Sequence, residues 1–203
     1  MIAPLYITEP IHEDAQELLF ENVVADIGNF GLSRAEILDR VAAAKVILSK
    51  TDPVAIDAEL MAAAPELRLV ARHGTGYSNI DIDYATANGI AVSITAGVNT
   101  KAISEYTVGL MLAAARCLPQ AYAACFNGAP DRQRLKGVEI TGKIFGIVGV
   151  GRIGRAVVEL VSALGMKVLA YHPRPSAKNL TDLPLELVDL ETLLRQSDVV
   201  SLH

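Results

Sequence analysis

Ile144-Phe-Gly-Ile-Val-Gly-Val-Gly-Arg-Ile-Gly154 is an apolar run that passes directly into Gly149-x-Gly151-x-x-Gly154. The run, from Ile144 to Val148, has the low polarity of a parallel strand covered on both faces. After the glycines, Ile153, Ala156, Val157, Leu160, Val161 and Leu164 recur at helical spacing, and Gly165 follows as a stop. Lys167–Tyr171 then reads as a second strand. In such a unit each glycine has its own task. Gly149 allows the tight turn out of the strand, Gly151 lets a diphosphate approach the backbone, and Gly154 lets the helix pack closely on the strand. Amides at the helix start, reinforced by the helix dipole, face the phosphate charge. A glycine hexapeptide alone is weak evidence, because glycines also serve ordinary turns. The strand–turn–helix–strand context points to a dinucleotide, with a structural turn or an adenosylated methyl donor as the alternatives.

The second strand ends in Tyr171-His-Pro-Arg174, where an NAD-preferring site would usually place an Asp or Glu for the adenosine ribose hydroxyls. With that carboxylate replaced by His172, and with Arg174 in reach of a 2′-phosphate, NADP is expected to bind at least as well as NAD. The other reading of His172 and Arg174 is a pair of solvated loop residues.

The 203 residues are 51% hydrophobic and carry a net charge of −5, which excludes a disordered chain and argues against nucleic-acid or anionic-membrane partners. Cys117 and Cys125 have no metal-like spacing, so no metal site is expected. Cys117 lies in an apolar helical pattern that predicts a buried thiol, and a reducing, cytoplasmic setting is the default. The start, Met1-Ile-Ala-Pro-Leu-Tyr-Ile-Thr8, reads as a strand rather than a leader. Ala102–Leu118 is strongly apolar but contains Glu105 and Arg116, and it reads as a buried helix rather than a membrane span.

Strand-like and helix-like segments alternate from the start. Leu5–Thr8, Val46–Ser49, Leu69–Arg72 and Ile90–Ser93 read as strands; Ala15–Phe20, Ser33–Ala43 and Ile82–Asn88 read as helices. Ser33 and Glu36 have capping-box spacing. Thr100–Leu118 predicts one long helix broken by Pro119, followed by a polar, irregular stretch over residues 122–141. Leu190–Gln196 is a short helix, and Val199–Leu202 reads as the third strand after the glycine turn.

Four segments, in order, resemble the D-isomer-specific 2-hydroxyacid dehydrogenases, the group of phosphoglycerate dehydrogenase and the glyoxylate/hydroxypyruvate reductases. They are Arg72-His-Gly-Thr-Gly-Tyr-Ser-Asn-Ile-Asp81, Gly97-Val-Asn-Thr-Lys-Ala-Ile-Ser-Glu-Tyr-Thr107, Gly142–Gly154 and Ser197-Asp-Val-Val-Ser-Leu-His203. The resemblance implies an α/β fold: a flavodoxin-like substrate domain over residues 1–98, a linking helix over 99–120, and the first half of a Rossmann dinucleotide-binding domain over 121–203. It implies hydride transfer between NAD or NADP and a small 2-keto or 2-hydroxy acid, with 3-phosphoglycerate, glyoxylate and hydroxypyruvate as candidates. A homodimer through the linking-helix region is also implied.

By the same resemblance, Gly74, Thr75 and Gly76 offer backbone N–H groups to the substrate carboxylate, with Thr75 also near the nicotinamide. Thr107 contacts the cofactor, Gly149, Gly151 and Gly154 shape the turn, and the amides of Arg152 and Ile153 receive the diphosphate. His172 and Arg174 face the adenosine ribose. The bland alternatives are a glycine turn at residues 74–76, a back-bonded hydroxyl at Thr107 and a solvated Arg152. The family's catalytic Arg, Glu and His are expected after the strand matching Val199–Leu202. No catalytic residue is therefore assigned here: His12 and His73 read as surface or structural residues, and His203 as a strand-end residue. On this basis the chain is expected to be a truncated, inactive form. It would supply only three strands of the dinucleotide sheet, leaving Ile144–Val148 at an uncovered edge and the chain prone to instability or association. The competing class is a catalytically silent, dinucleotide-sensing module of corepressor type.

Overall fold

The structure, a computed structural model, describes residues 5–21, 23–50, 54–128, 135–173 and 180–203. Arg174 lies outside these residues. The chain divides into two compact units, Met1–Ala96 and Gly97–His203.

In the first unit, strands and helices alternate: β1 (Leu5–Ile7), α1 (Glu13–Phe20), β2 (Ala25–Ile27), α2 (Arg34–Val41), β3 (Val46–Ser49), α3 (Ala58–Ala62), β4 (Leu69–Arg72), α4 (Ile82–Ala87) and β5 (Ala91–Ile94). The strands form one parallel sheet in the order β2-β1-β3-β4-β5, a flavodoxin-like arrangement. Tyr6, Ile47 and Val70 project from the sheet into a core with Val41 of α2 and Leu60 of α3. The capping box on α2 forms as read, since the Ser33 hydroxyl accepts from the Glu36 N–H while Glu36 Oε2 accepts from the Ser33 N–H at 2.7 Å. Two elements are not legible in the sequence. β2 is three residues long and carries Asp26, which pairs with Arg40 of α2; α3 is a five-residue turn capped by Asp57.

The second unit begins with α5 (Thr100–Ala115) and α6 (Leu118–Phe126). Here the expected single helix ending at Pro119 is corrected. The break falls earlier, at Cys117, whose φ of 53° puts it in the left-handed region. Pro119 instead sits in the first turn of α6, where its missing N–H has no helical acceptor to lose. The helix therefore extends to Phe126 into the stretch read as irregular, at 63° to α5. Cys117 is only half-buried, and α6 contributes no buried residue. The apolar character of Ala102–Leu118 thus does not mark a buried helix throughout. Among the described residues no single helix is long and apolar enough to cross a membrane, although the bent α5–α6 pair passes by length and composition.

The remaining elements are β6 (Ile144–Val148), α7 (Arg152–Ala163), β7 (Lys167–Tyr171), β8 (Glu186–Leu187), α8 (Leu190–Gln196) and β9 (Val199–Leu202). They form a parallel sheet in the order β8-β7-β6-β9. This corrects the strand count: the third strand in sequence is the two-residue β8 beside β7, and β9 lies across the sheet against β6. Phe145 faces Val168 on one side and Val199 on the other, so β6 is central and covered rather than an open edge. β8 escapes a sequence reading because two exposed residues carry no periodic signal. α5 packs on α7, with Met111 joining Phe145, Ile147, Val157 and Val161 in the core.

Candidate active site: a dinucleotide turn and a substrate loop

The dinucleotide turn lies at the carboxyl ends of β6 and β9. There the chain order reverses, which is the crevice where open α/β sheets bind ligands. Gly149 has φ 96°, a conformation that side chains rarely adopt, and its N–H donates to the Tyr171 carbonyl at 2.8 Å. A Cβ on Gly154 would lie 2.3 Å from the Gly149 carbonyl oxygen, so glycine here lets α7 press against the turn. A Cβ on Gly151 would meet nothing within 4 Å. The two glycines therefore differ in kind: Gly154 packs, whereas Gly151 leaves open space.

Gly151 caps α7 without a side-chain bond, and the first bond into the helix runs from the Arg155 N–H to the Gly151 carbonyl at 3.0 Å. The amides of Arg152, Ile153 and Gly154 consequently have no acceptor within the helix. Together with the dipole of a twelve-residue helix, they form a cradle for an anion. The open space at Gly151 and these free donors fit the diphosphate of a dinucleotide.

His172 closes the other side of the turn. Its Nδ1 accepts from the Val150 N–H at 3.3 Å, which in the neutral ring leaves the proton on Nε2. Arg152 is exposed, while Arg155 pairs with Asp182 at 2.6 Å. Thr107, half-buried on α5, donates its hydroxyl to the Ile103 carbonyl at 2.9 Å, the back-bonded form of helical threonine.

The second candidate feature follows β4 in the first unit. Gly74 has φ 151°; its N–H donates to Thr95 Oγ1 at 2.8 Å and its carbonyl accepts from the Thr95 N–H at 2.9 Å. That amide is therefore engaged. The N–H groups of Thr75 and Gly76 have no protein acceptor among the described residues. Arg72, buried behind the loop, donates from Nε to the Gly76 carbonyl at 2.9 Å. A cavity of about 570 Å³ starts at His73, the residue before the loop, and runs past Lys50 and Leu48 to Pro10, Ile11 and Leu18.

The histidines occupy ordinary places. His12 caps α1 with Nδ1 accepting from the Asp14 N–H, and the backbone N–H of His73 donates to the Ser49 carbonyl. His203 sits beyond β9 with Nε2 2.9 Å from Ser201 Oγ, and desolvation lowers its pKa. Arg72 and Thr95 carry no spacing motif; the signals for Arg72 are a charge closing the otherwise apolar strand Leu69–Arg72 and its place at the head of the first resembling segment.

Residues 108–203 match the family model described as "D-isomer specific 2-hydroxyacid dehydrogenase, NAD binding domain". D-3-phosphoglycerate dehydrogenase of Archaeoglobus fulgidus is 38% identical over 197 residues, covering 97% of this chain and 37% of that protein. Hydroxypyruvate reductase of Thermotoga maritima is 35% identical over 199 residues, covering 98% of this chain and 64% of that protein. Among solved structures, the TT0316 protein of Thermus thermophilus superposes with a TM-score of 0.88 at 33% identity, over 98% of this chain and 64% of its own. The chain thus spans between about a third and two thirds of the length of these relatives. With the glycine turn, its amide cradle, the sheet order and these likenesses in agreement, the chain is similar to the D-isomer specific 2-hydroxyacid dehydrogenases, and residues 108–203 match the model of that family's NAD binding domain.

Proposed function

We propose that this chain contributes to an NAD(P)-dependent oxidoreductase that moves a hydride between a nicotinamide and the 2-carbon of a small 2-keto or 2-hydroxy acid. The observation that carries this reading is the set of free amides at Arg152, Ile153 and Gly154 beside the open space at Gly151. The nicotinamide supplies or accepts the hydride when bound. The chain's own residues bind and orient. The α7 amides hold the diphosphate, Gly149 and Gly151 shape its approach, and Thr107 borders the cofactor. His172 stands beside the adenosine ribose. Without a carboxylate at that place the 2′-phosphate of NADP is tolerated, and Arg174 is the proposed partner for it.

The amides of Thr75 and Gly76 hold the substrate carboxylate, with Gly74 giving the loop its shape. Candidate substrates are 3-phosphoglycerate, glyoxylate and hydroxypyruvate. None of His12, His73 and His203 is proposed as the proton donor. The setting is cytoplasmic. The partner is a second copy of the chain, meeting it through the α5–α6 region, where Tyr106 is 67%, Tyr122 67% and Phe126 75% exposed.

Calorimetric titration with NADH and NADPH tests the reading. Both nucleotides are expected to bind, NADPH at least as tightly as NADH. Absence of heat with either nucleotide would remove the cradle as a diphosphate site, and a large NADH preference would remove the roles given to His172 and Arg174. Nucleotide binding that alters self-association, without any effect of a 2-keto acid on the Thr75 and Gly76 amides, would favour a sensing module.

A further inference from the structure

The loop over residues 74–76 is pinned at both ends by side chains to which no role has been given. At its far end is Arg72, only 7% exposed, whose Nε holds the Gly76 carbonyl at 2.9 Å while Nη1 lies 3.3 Å from Ser49 Oγ. Ser49 is fully buried and also accepts from Asn79 Nδ2 at 3.4 Å, so the guanidinium is fixed from behind. It lies under Gly74 as well, since a Cβ there would be 3.6 Å from Nε. At the near end, Thr95 takes both backbone groups of Gly74. These bonds turn the Gly74 amide and the Gly76 carbonyl inward, and the donors left over are the N–H groups of Thr75 and Gly76.

We propose that Arg72 and Thr95 are positioning residues for carboxylate binding at Thr75 and Gly76. Thr95 sets the direction of the loop, and the buried guanidinium both anchors it and places a fixed positive charge behind the two amides. The inference rests on the proposed reading of this loop as the carboxylate site. A purely structural cross-link between β3 and β4 would hold the loop equally for charged and uncharged ligands. A guanidinium in a water-poor site acts more strongly on an anion, because Coulomb energies rise as the local dielectric falls.

The test is an amide NMR titration of the full chain with D-lactate and with its uncharged amide, D-lactamide. In the wild type, Thr75 and Gly76 are expected to shift with D-lactate and to respond more weakly to D-lactamide. Arg72→Met should weaken D-lactate roughly ten-fold while leaving D-lactamide nearly unchanged, the loss of the positive charge behind the two amides. Arg72→Lys should restore part of the preference for the acid. Thr95→Val, at an exposed position that leaves folding intact, should weaken D-lactate by about three-fold, and Thr95→Ser should recover it. The threonine pair therefore decides the matter even where Arg72→Met fails to fold. Thr95→Val and a folded Arg72→Met that bind D-lactate like the wild type overturn this inference alone. A wild type with no response at Thr75 and Gly76 overturns the carboxylate reading and this inference with it.

Discussion

The two glycine loops reach the same chemical state by different routes. At Gly149–Gly154 the free donors are a by-product of helix geometry: any α-helix leaves its first amides without acceptors, and α7 simply has no side chain capping them. At Gly74–Gly76 no helix start is available, and Arg72 and Thr95 consume the neighbouring donor and acceptors until two amides remain. A turn whose function follows from backbone sterics tolerates changes in its surroundings and fails when a glycine changes. A loop held by side chains should show the reverse sensitivity.

The largest expected effect comes from Gly154. Alanine there would put a methyl 2.3 Å from a backbone oxygen, an overlap that only displacement of α7 relieves. Gly154→Ala should destabilise the second unit by about 3 kcal/mol, the upper range for overpacking, and abolish nucleotide binding. Urea unfolding and calorimetry measure the two effects. Gly151→Ala separates them. Its backbone, at φ −78° and ψ −161°, accepts any residue, and its Cβ would meet nothing, so stability should stay within about 0.5 kcal/mol. Nucleotide affinity should nevertheless fall at least roughly ten-fold, because the methyl stands where the diphosphate approaches. Equal stability losses at the two positions would show that the glycines do not have separate roles.

The next effect bears on assembly. Tyr122 and Phe126 pack with tilted rings, centroids 4.7 Å apart, yet both are largely exposed on α6. An aromatic pair of this size presents apolar area that a second copy would cover. Phe126→Asp should convert a dimer to a monomer in sedimentation experiments, with the melting temperature of the separated chain little changed at low protein concentration. A wild type that sediments as a monomer ends the proposal.

The same contrast explains which parts of the molecule are legible in the sequence. β6, the glycine turn, α7 and the Ser33–Glu36 capping box are dictated by neighbours within a few residues, so periodicity and glycine placement suffice to read them. The break at Cys117 is not legible, because nothing local asks a cysteine to adopt φ 53°. The chain after α6 returns to the end of α5, where the Val138 N–H bonds the Ala115 carbonyl at 2.7 Å and completes the helix end. β2 depends on the Asp26–Arg40 pair, and β8 on β7 beside it. The placement of β9 beside β6 escapes for the same reason: sequence order alone does not say on which side of a sheet the next strand lands. Arg72 reads as a mere strand terminus until its three-dimensional neighbours are known.

The smallest expected effect concerns the seam between β6 and β9. Asp198 accepts from the Ile144 N–H at 2.8 Å and from Lys143 Nζ at 3.2 Å, and these two bonds, the backbone one first, hold its pKa below the ordinary carboxylate value. A depressed pKa means that the unfolded chain takes up the proton first as pH falls. The stabilisation is therefore complete above the unfolded value, near about pH 4, and is lost as pH drops through the lower folded value. In the first unit Asp57 behaves alike: burial pushes its pKa up, but bonds from the Leu60 N–H and Arg34 outweigh this and leave it lowered. Asp198→Asn should thus lower the melting temperature of the second unit modestly at about pH 7, and the gap to the wild type should close on acidification toward about pH 3. A gap that stays constant across that range would mean that shape, and not the ionised carboxylate, joins β9 to β6. The amino end of β6, opposite the dinucleotide turn, would then be as insensitive to side-chain charge as the turn itself.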